Sequence, residues 1–485
     1  MRVAIVALLL LAGSGPVRAA DLKITPGAAV SETYTDNVLL VTGDGDRNSD
    51  LITTVSPTLQ VRGQGARANL NLNYAPQHTF HQVVTERDGT QHNLVGSGRA
   101  ELWEKVFFID TQASISQAIA NSTGPIVNSP AGQEANRTTV KALNLSPSFR
   151  HHFGTWVDTE SRISQNIVSQ DSGTATTGTA NLAGQNTKAI TESVHIGSGR
   201  RFTLLLWSLD VNSSKTTDDT DLPAKHNDSI DTNYTYVVNR NLSLLSGLGY
   251  QKVKDATLLK PPKGVTWNVG AAVRPSLLTS FKATTGERDG GSTTNVEATH
   301  RLSSRTSITA SYNENLQTSQ QQISQSLNFL TLDANGVLID SRTGLPFVPG
   351  TTDFGLQNTT FRQQVFRLGM SGSRRRNTFS GGINWEKRNT EATGIIETVV
   401  GGNLQFTRQL THLSSGTLSL GYRKHNYGTT DGRKDDEISG SFSYAYQIFK
   451  DVDARLTYNL TLTKSSVSTN DLKENSFTLA LVKRF

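Results

Sequence analysis

Hydrophobic and polar residues alternate with period two along most of this chain, and the C-terminal segment shows it most plainly. Phe477, Leu479, Leu481, Lys483 and Phe485 fall on one face, while Ser476, Thr478, Ala480, Val482 and Arg484 fall on the other. Successive side chains of a β-strand point to opposite faces, so this segment is a ribbon with one mostly apolar side. The pattern recurs upstream. Leu70, Leu72 and Tyr74 oppose Asn69, Asn71 and Asn73, and Ile438, Phe442, Tyr444, Tyr446 and Ile448 oppose Ser439, Ser441, Ser443, Ala445 and Gln447. Many of these runs reach ten residues or more, whereas strands of soluble domains average about 5–6. Length together with alternation predicts strands that cross a membrane.

Tight links and longer polar stretches take turns between the strands. The links include 62–66, 103–107, 199–202, 239–242, 372–378 and 447–452; the longer stretches include 35–49, 77–90, 119–137, 167–186, 255–264, 316–359 and 464–471. Short turns on the periplasmic side and long loops outside are the outer-membrane pattern. The prediction is an all-β fold: a transmembrane antiparallel up-and-down β-barrel of about 22 strands (20–24), running from Ile24–Tyr34 to Leu472–Phe485. An even strand number puts both termini in the periplasm.

Composition supports this reading. Hydrophobic residues make up 35% of the 485 residues, well below the roughly 45–50% apolar content of globular domains. A barrel closes its backbone hydrogen bonds on itself and needs only every second residue to be apolar. The N-terminus reads as an export signal, with Arg2, an apolar stretch from Val3 to Ala12, and cleavage expected between Ala19 and Ala20. The domain expectation is therefore a signal peptide at 1–19 and a barrel at 20–485. No cysteine occurs, which excludes both a lipoprotein anchor and disulfides.

The longest loop, 316–359, opens with a Gln/Ser-rich run from Thr318 to Gln325. Two apolar patches follow, Leu327–Leu332 and Val337–Ile339, separated by Asp333-Ala334-Asn335-Gly336. Asn-Gly between apolar residues is a strong hairpin signal. Such a hairpin either projects outward or folds into the lumen as a plug.

Charge changes the picture little. The net charge is +6, and the longest basic run, Arg374-Arg375-Arg376, lies in a short turn as a solvated or lipid-headgroup contact. Nucleic-acid binding would need clustered Lys/Arg with interleaved aromatics, so no nucleic acid is expected. A positively biased lumen that favours anionic cargo is the other reading of the charge. Inward positions include Arg423, Asp453 and Arg455, the candidate lumen-lining groups. Aromatics near strand ends, among them Tyr34, Trp103, Trp156, Tyr250, Trp385 and Phe449, suit interfacial girdles. Phe477, Leu479, Leu481 and Phe485 form the terminal aromatic strand that serves as the outer-membrane assembly signal. No nucleotide-binding glycine pattern, metal-ligand cysteine set or Gly-x-Ser-x-Gly elbow is present, and neither an enzyme nor a cofactor or metal is expected.

Two stretches carry a family resemblance. Ile24-Thr25-Pro26 through Ser31-Glu32-Thr33-Tyr34-Thr35-Asp36-Asn37-Val38, and Ser49-Asp50-Leu51-Ile52-Thr53-Thr54-Val55-Ser56-Pro57 followed by Tyr74-Ala75-Pro76, resemble the PEP-CTERM system-associated outer-membrane protein family of Gram-negative bacteria. The resemblance implies an association with exopolysaccharide biosynthesis and export loci and brings no catalytic residues. The expected role is exopolysaccharide export, as the outer-membrane conduit. A general diffusion porin or small-solute channel, and a structural or adhesive surface barrel, are the alternatives. Expected partners are outer-membrane lipid and lipopolysaccharide, the outer-membrane assembly machinery, periplasmic polysaccharide-export components and the polysaccharide cargo.

Overall fold

The computed structural model describes residues 21–485 except 44, 122, 125–135, 172–184, 220–222, 333–337, 341–353, 357–358 and 430–431. The export signal, with Ala19 and Ala20, lies outside the described residues.

Twenty-two antiparallel strands close into one barrel. They are β1 Asp21–Thr35, β2 Asp50–Gln64, β3 Ala68–Tyr74, β4 Leu94–Trp103, β5 Phe107–Ile119, β6 Arg137–Phe153, β7 Val157–Gln170 and β8 Gln185–Ser198. Next come β9 Leu205–Asp218, β10 Lys225–Asn239, β11 Leu242–Lys254, β12 Lys263–Ser276, β13 Thr279–Arg288, β14 Gly291–Ser303 and β15 Thr306–Gln317. The wall finishes with β16 Phe361–Arg374, β17 Asn377–Thr390, β18 Ile396–Gln409, β19 Ser414–Asn426, β20 Lys434–Phe449, β21 Val452–Ser465 and β22 Leu472–Arg484. The seam is continuous pairing of β1 with β22, from Gly27 opposite Arg484 to Thr35 opposite Ser476. Closure leaves no sheet edge, which is what lets strands cross hydrocarbon without unpaired backbone groups.

Register fixes the two faces. Leu418, Leu420 and Tyr422 of β19 stand opposite Phe442, Gly440 and Ile438 of β20, all on the outside, while Ser419 faces Ser441 on the inside. Leu420 is 47% exposed. Repeated around the wall, exposed Leu, Ile, Val and Phe make an apolar band far larger than a soluble monomer tolerates, so acyl chains rather than water cover it. The aromatics singled out above stand on this outer surface in two belts. Trp103, Trp156 and Phe449 lie by the short turns, and Tyr34, Tyr250 and Trp385 lie toward the loops. The terminal-strand residues Phe477, Leu479 and Leu481 face outward opposite Tyr34, Glu32 and Val30.

Strands run further toward the loop end than alternation alone indicated. The stretch 77–90 shrinks to a connection at 82–88, because Gln77–His81 resumes pairing with β2 beyond a break at Ala75-Pro76, and Gly89–Gln91 pairs with it in turn. Pro76 has no amide to give the ladder, which is why β3 is interrupted there. Likewise 167–186 shortens to 171–184, and 255–264 to 255–262. Several strands have 13–17 residues, more than the 9–11 a tilted strand needs to cross the bilayer. Much of the surplus is polar on both faces, as in Lys434-Asp435-Asp436-Glu437 of β20, and there it carries no alternation to read.

The barrel is not round. With strands about 4.8 Å apart and tilted about 40°, a circular wall of 22 strands would be about 44 Å across. A Cβ at Gly270 of β12 would collide with the carbonyl oxygen of Ala283, and one at Gly286 of β13 with that of Trp267, so only glycine fits at either position. The loop between β15 and β16 touches both β7 and β17, ten strands apart, so opposite walls approach one another across a narrowed lumen.

Candidate functional site

The loop between β15 and β16 folds inward and spans that narrowed lumen. β15 ends at Gln317, and Thr318 starts helix α1, Ser319–Ser326. The Thr318 side chain accepts from the Gln321 amide, while the Gln321 side chain accepts from the Thr318 amide. This capping box satisfies two otherwise orphaned donors of a helix only two turns long. Ile323 and Leu327, four residues apart, share one helical face. They bury against Ala118 of β5, Val140 and Ala142 of β6 and Val168 of β7, all on the inner wall. Ser324 donates to Asn166 Oδ1 of β7 at 2.7 Å.

The opposite wall holds the same helix. Arg388 of β17 donates from Nη2 to Gln322 Oε1 at 2.6 Å and from Nε to Glu386 Oε1 at 2.9 Å. Gln322 and Ser324 are two residues apart, so a single helix, about 10–12 Å wide with its side chains, ties β17 to β7. After α1 the chain forms a small hairpin, Leu330–Leu332 paired with Leu338–Asp340; its turn falls among residues 333–337, outside the described residues. On the return path Phe354 is fully buried, with its ring 4.1 Å from the Arg388 guanidinium, and Phe361 holds the other position at 4.4 Å. Below them Gln317 donates to Gln363 and Gln363 to Glu386, a short chain joining β15, β16 and β17.

Arg388 is the centre of this arrangement. Its side chain is 1% exposed, and burying a cation without compensation costs several kcal/mol. One carboxylate, one amide oxygen and two ring faces compensate it here. Among the described residues Nη1 has no hydrogen-bond partner. Next to it, His425 of β19 is 2% exposed, stacked on Tyr427 at 3.9 Å and edge-on to Phe354 at 5.4 Å.

Further loops complete a roof at the loop end. Arg433 grips both oxygens of Asp435 and reaches the Thr123 carbonyl at 2.8 Å, bridging the β19–β20 and β5–β6 loops. Tyr427 donates to Asp435 at 2.8 Å. Asp255, at the start of the β11–β12 loop, accepts from Thr360 at 2.6 Å and from the Thr257 hydroxyl and amide at 2.7 and 2.8 Å. Lys225 stands 3.7 Å from it. Burial works to raise the Asp255 carboxyl, but the Thr360 and Thr257 hydrogen bonds and the Lys225 charge outweigh it, so the group is held below the ordinary carboxylate range. Val38, Leu40, Ile52, Val84 and Leu472 form a second apolar cluster where the β1–β2 loop folds over the wall.

The lower lumen is polar and charged. On β4–β7, Arg99, Asp110, Arg162, Glu160 and Arg150 link in alternating sign, with Phe108 4.9 Å from both Arg99 and Arg150. Of the sequence candidates, Arg423 faces inward in an ion pair with Glu437, under the roof. Asp453 pairs with Arg484 near the turn end. Arg455 is exposed on the inner face, opposite Ala445 and Ala480. The three residues therefore do not form one constellation.

Alternation did not point to α1 or Arg388. The Thr318-Ser319-Gln320-Gln321 start and the Ile323/Leu327 spacing are helix signals that could have located the first. Nothing local marks the second, because its partner Gln322 lies 66 residues upstream.

No family model matches this chain, and no curated protein matches it. Solved structures do. The ferric-catecholate import receptor Fiu from E. coli K12 aligns with a TM-score of 0.51 and 10% identity, over 95% of this chain and 81% of that one. The siderophore receptor PirA from Acinetobacter baumannii gives 0.50 and 8%, over 97% and 81%. The ferric enterobactin receptor PfeA from Pseudomonas aeruginosa gives 0.50 and 10%, over 96% and 81%. The likeness is one of fold. It agrees with the lipid-facing exterior in making this chain a large barrel of the bacterial outer-membrane type.

Proposed function

We propose that this barrel is a gated conduit in the bacterial outer membrane, and that its cargo is an extracellular polysaccharide on its way out. Its loops face the exterior and its termini the periplasm, as short turns and long loops are disposed in barrels of this kind. Transport, not catalysis, is the activity. The observation that carries the gating is the bridge from Arg388 through Gln322 and Ser324 to Asn166, which bars the lumen with a segment covalently joined to the wall only at its two ends and otherwise held by non-covalent contacts. An always-open diffusion pore is at odds with that bridge.

Polysaccharide as cargo rests on two supports. One is the resemblance of the Ile24–Val38 and Ser49–Pro57 stretches to a family associated with exopolysaccharide loci. The other is the inner wall, whose Ser, Thr, Asn and Gln offer many hydrogen bonds, each easily exchanged for another. A hydrated glycan slides most freely where no single contact is costly to break. The structural neighbours, receptors for ferric catecholate and ferric enterobactin, suggest a different cargo, an iron chelate entering the cell, so both are put to the test.

Deleting 319–356 and recording single-channel conductance tests the gate. The intact barrel is expected to conduct little and the deletion to give a large steady conductance; equal conductance overturns gating. In cells, loss of the gene is expected to remove polymer from the surface while it accumulates inside. Normal surface polymer together with loss of ferric-chelate uptake would replace the export reading with an import one.

A further inference from the structure

Charge is divided between the two ends of the barrel. The ten short turns hold nine Arg or Lys against two acids, Glu104 and Asp451. The eleven loops hold seventeen Asp or Glu against five Arg or Lys. A net charge of +6 for the whole chain conceals this. The basic residues at the turn end also continue inside the mouth. Lys23 stands directly opposite Arg62 on the inner face. Arg301 faces Ser307, and Arg455 faces Ala445 and Ala480, all on the inner face. Lys23, Arg301 and Arg455 are exposed.

From this placement we infer that the turn-end mouth is a collecting ring for a polyanionic polymer, so that the cargo of the proposed conduit is an acidic glycan carrying carboxylates. The inference rests on the conduit reading and adds the charge of its cargo. The direction in which the basic groups point argues against lipid. On strands at this end, Arg374, Arg408 and Lys483 face outward, where headgroups would meet them, whereas Lys23, Arg62, Arg301 and Arg455 face the lumen, as does Arg484 in its ion pair with Asp453. A folded protein docked beneath the rim would meet the turns but not side chains inside the mouth; an extended chain meets both. Lys23 and Arg62 are direct cross-strand neighbours, within a screening length of about 8 Å at physiological salt, and Arg301 on β14 carries positive charge to the far side of the opening. The acidic loop end then favours release of the same polymer rather than its recapture.

The test uses the full barrel in neutral detergent, where no anionic lipid competes, with polygalacturonate and size-matched dextran as probes. Polygalacturonate is expected to bind at least tenfold tighter than dextran at low salt, with the difference shrinking as salt rises. The variant K23Q/R301Q/R455Q should lose about tenfold of that affinity, and R374Q/R375Q/R376Q, in a turn outside the mouth, only a few-fold. Heat-modifiable gel migration confirms that each variant is folded. Equal binding of the two polymers overturns the inference. A loss confined to the turn variant does so too, because it would mark the rim as a docking face for a protein. A conduit for neutral glycan would pass the conductance and export tests and fail this one, so the two readings fail separately.

Discussion

The guanidinium of Arg388 lies 4.1 Å from the ring of Phe354, so a cation on the barrel wall is capped by the returning arm of the loop that crosses the lumen. One wall residue thus holds both limbs of that loop, the helix through Gln322 and the return through Phe354. Releasing this residue should free the loop without unfolding the barrel, since the strands on either side remain fully paired.

Arg388→Met is therefore expected to raise open probability several-fold in single-channel records, with the folded band retained on unheated gels. Removing the cation forfeits a cation–π contact of about 0.5–2 kcal/mol and a charge-assisted hydrogen bond of about 1.5–3 kcal/mol. Arg388→Lys should be intermediate, since an ammonium keeps the charge but loses the planar fork. A wild-type conductance trace from the Met variant would show that the latch lies elsewhere.

How far this arrangement could be read in advance depends on the range of the interactions. The terminal strand declares its faces in ten residues, because alternation is local and lipid enforces it on every strand. Leu330–Leu332 and Leu338–Asp340 do pair as the flanking apolar patches suggest. Whether that hairpin hangs outside or inside depends on Ile323 finding Val168, and no local pattern encodes a contact made across a lumen. Nothing in the local pattern sets Arg388 apart from the polar residues around it. Its burial is decided by a loop that precedes it in the chain and by the approach of the opposite wall.

The bridge on the far side offers a reversible lock. Ser324 Oγ and Asn166 Oδ1 are 2.7 Å apart, and the chain has no native cysteine to interfere. In Ser324→Cys/Asn166→Cys, oxidation should hold the helix on β7 and abolish opening, and reductant should restore it within one recording. If oxidised and reduced channels open equally, α1 is not the moving part.

Low pH should loosen the roof through Asp255. Its carboxyl titrates below the ordinary value of about 3.9 because Thr360, Thr257 and Lys225 favour the charged form over the opposing effect of burial. A depressed folded-state value means the stabilisation is present in full above the unfolded value and lost as pH falls through the lower, folded one. Opening should thus rise as the loop-side pH drops below about 4. Asp255→Asn should show the loosened level at every pH, with a flat profile.

Leu420 and Ser419 test the assignment of faces at one point in the wall. They are adjacent at the middle of β19, with Leu420 exposed outward and Ser419 paired inward with Gln405 and Ser441. A charged side chain on the lipid face near the bilayer midplane costs about 2–4 kcal/mol, and one in a water-filled lumen costs little. Leu420→Arg should therefore lower refolding stability in vesicles by about that amount, measured by urea titration, while Ser419→Arg stays close to wild type. The inward substitution should instead reduce conductance for cations through the loop-deleted barrel, because it adds a positive charge to the path without touching the lipid. A large stability loss for both variants would mean that Ser419 packs against a filled interior, and a loss for neither that lipid does not contact Leu420.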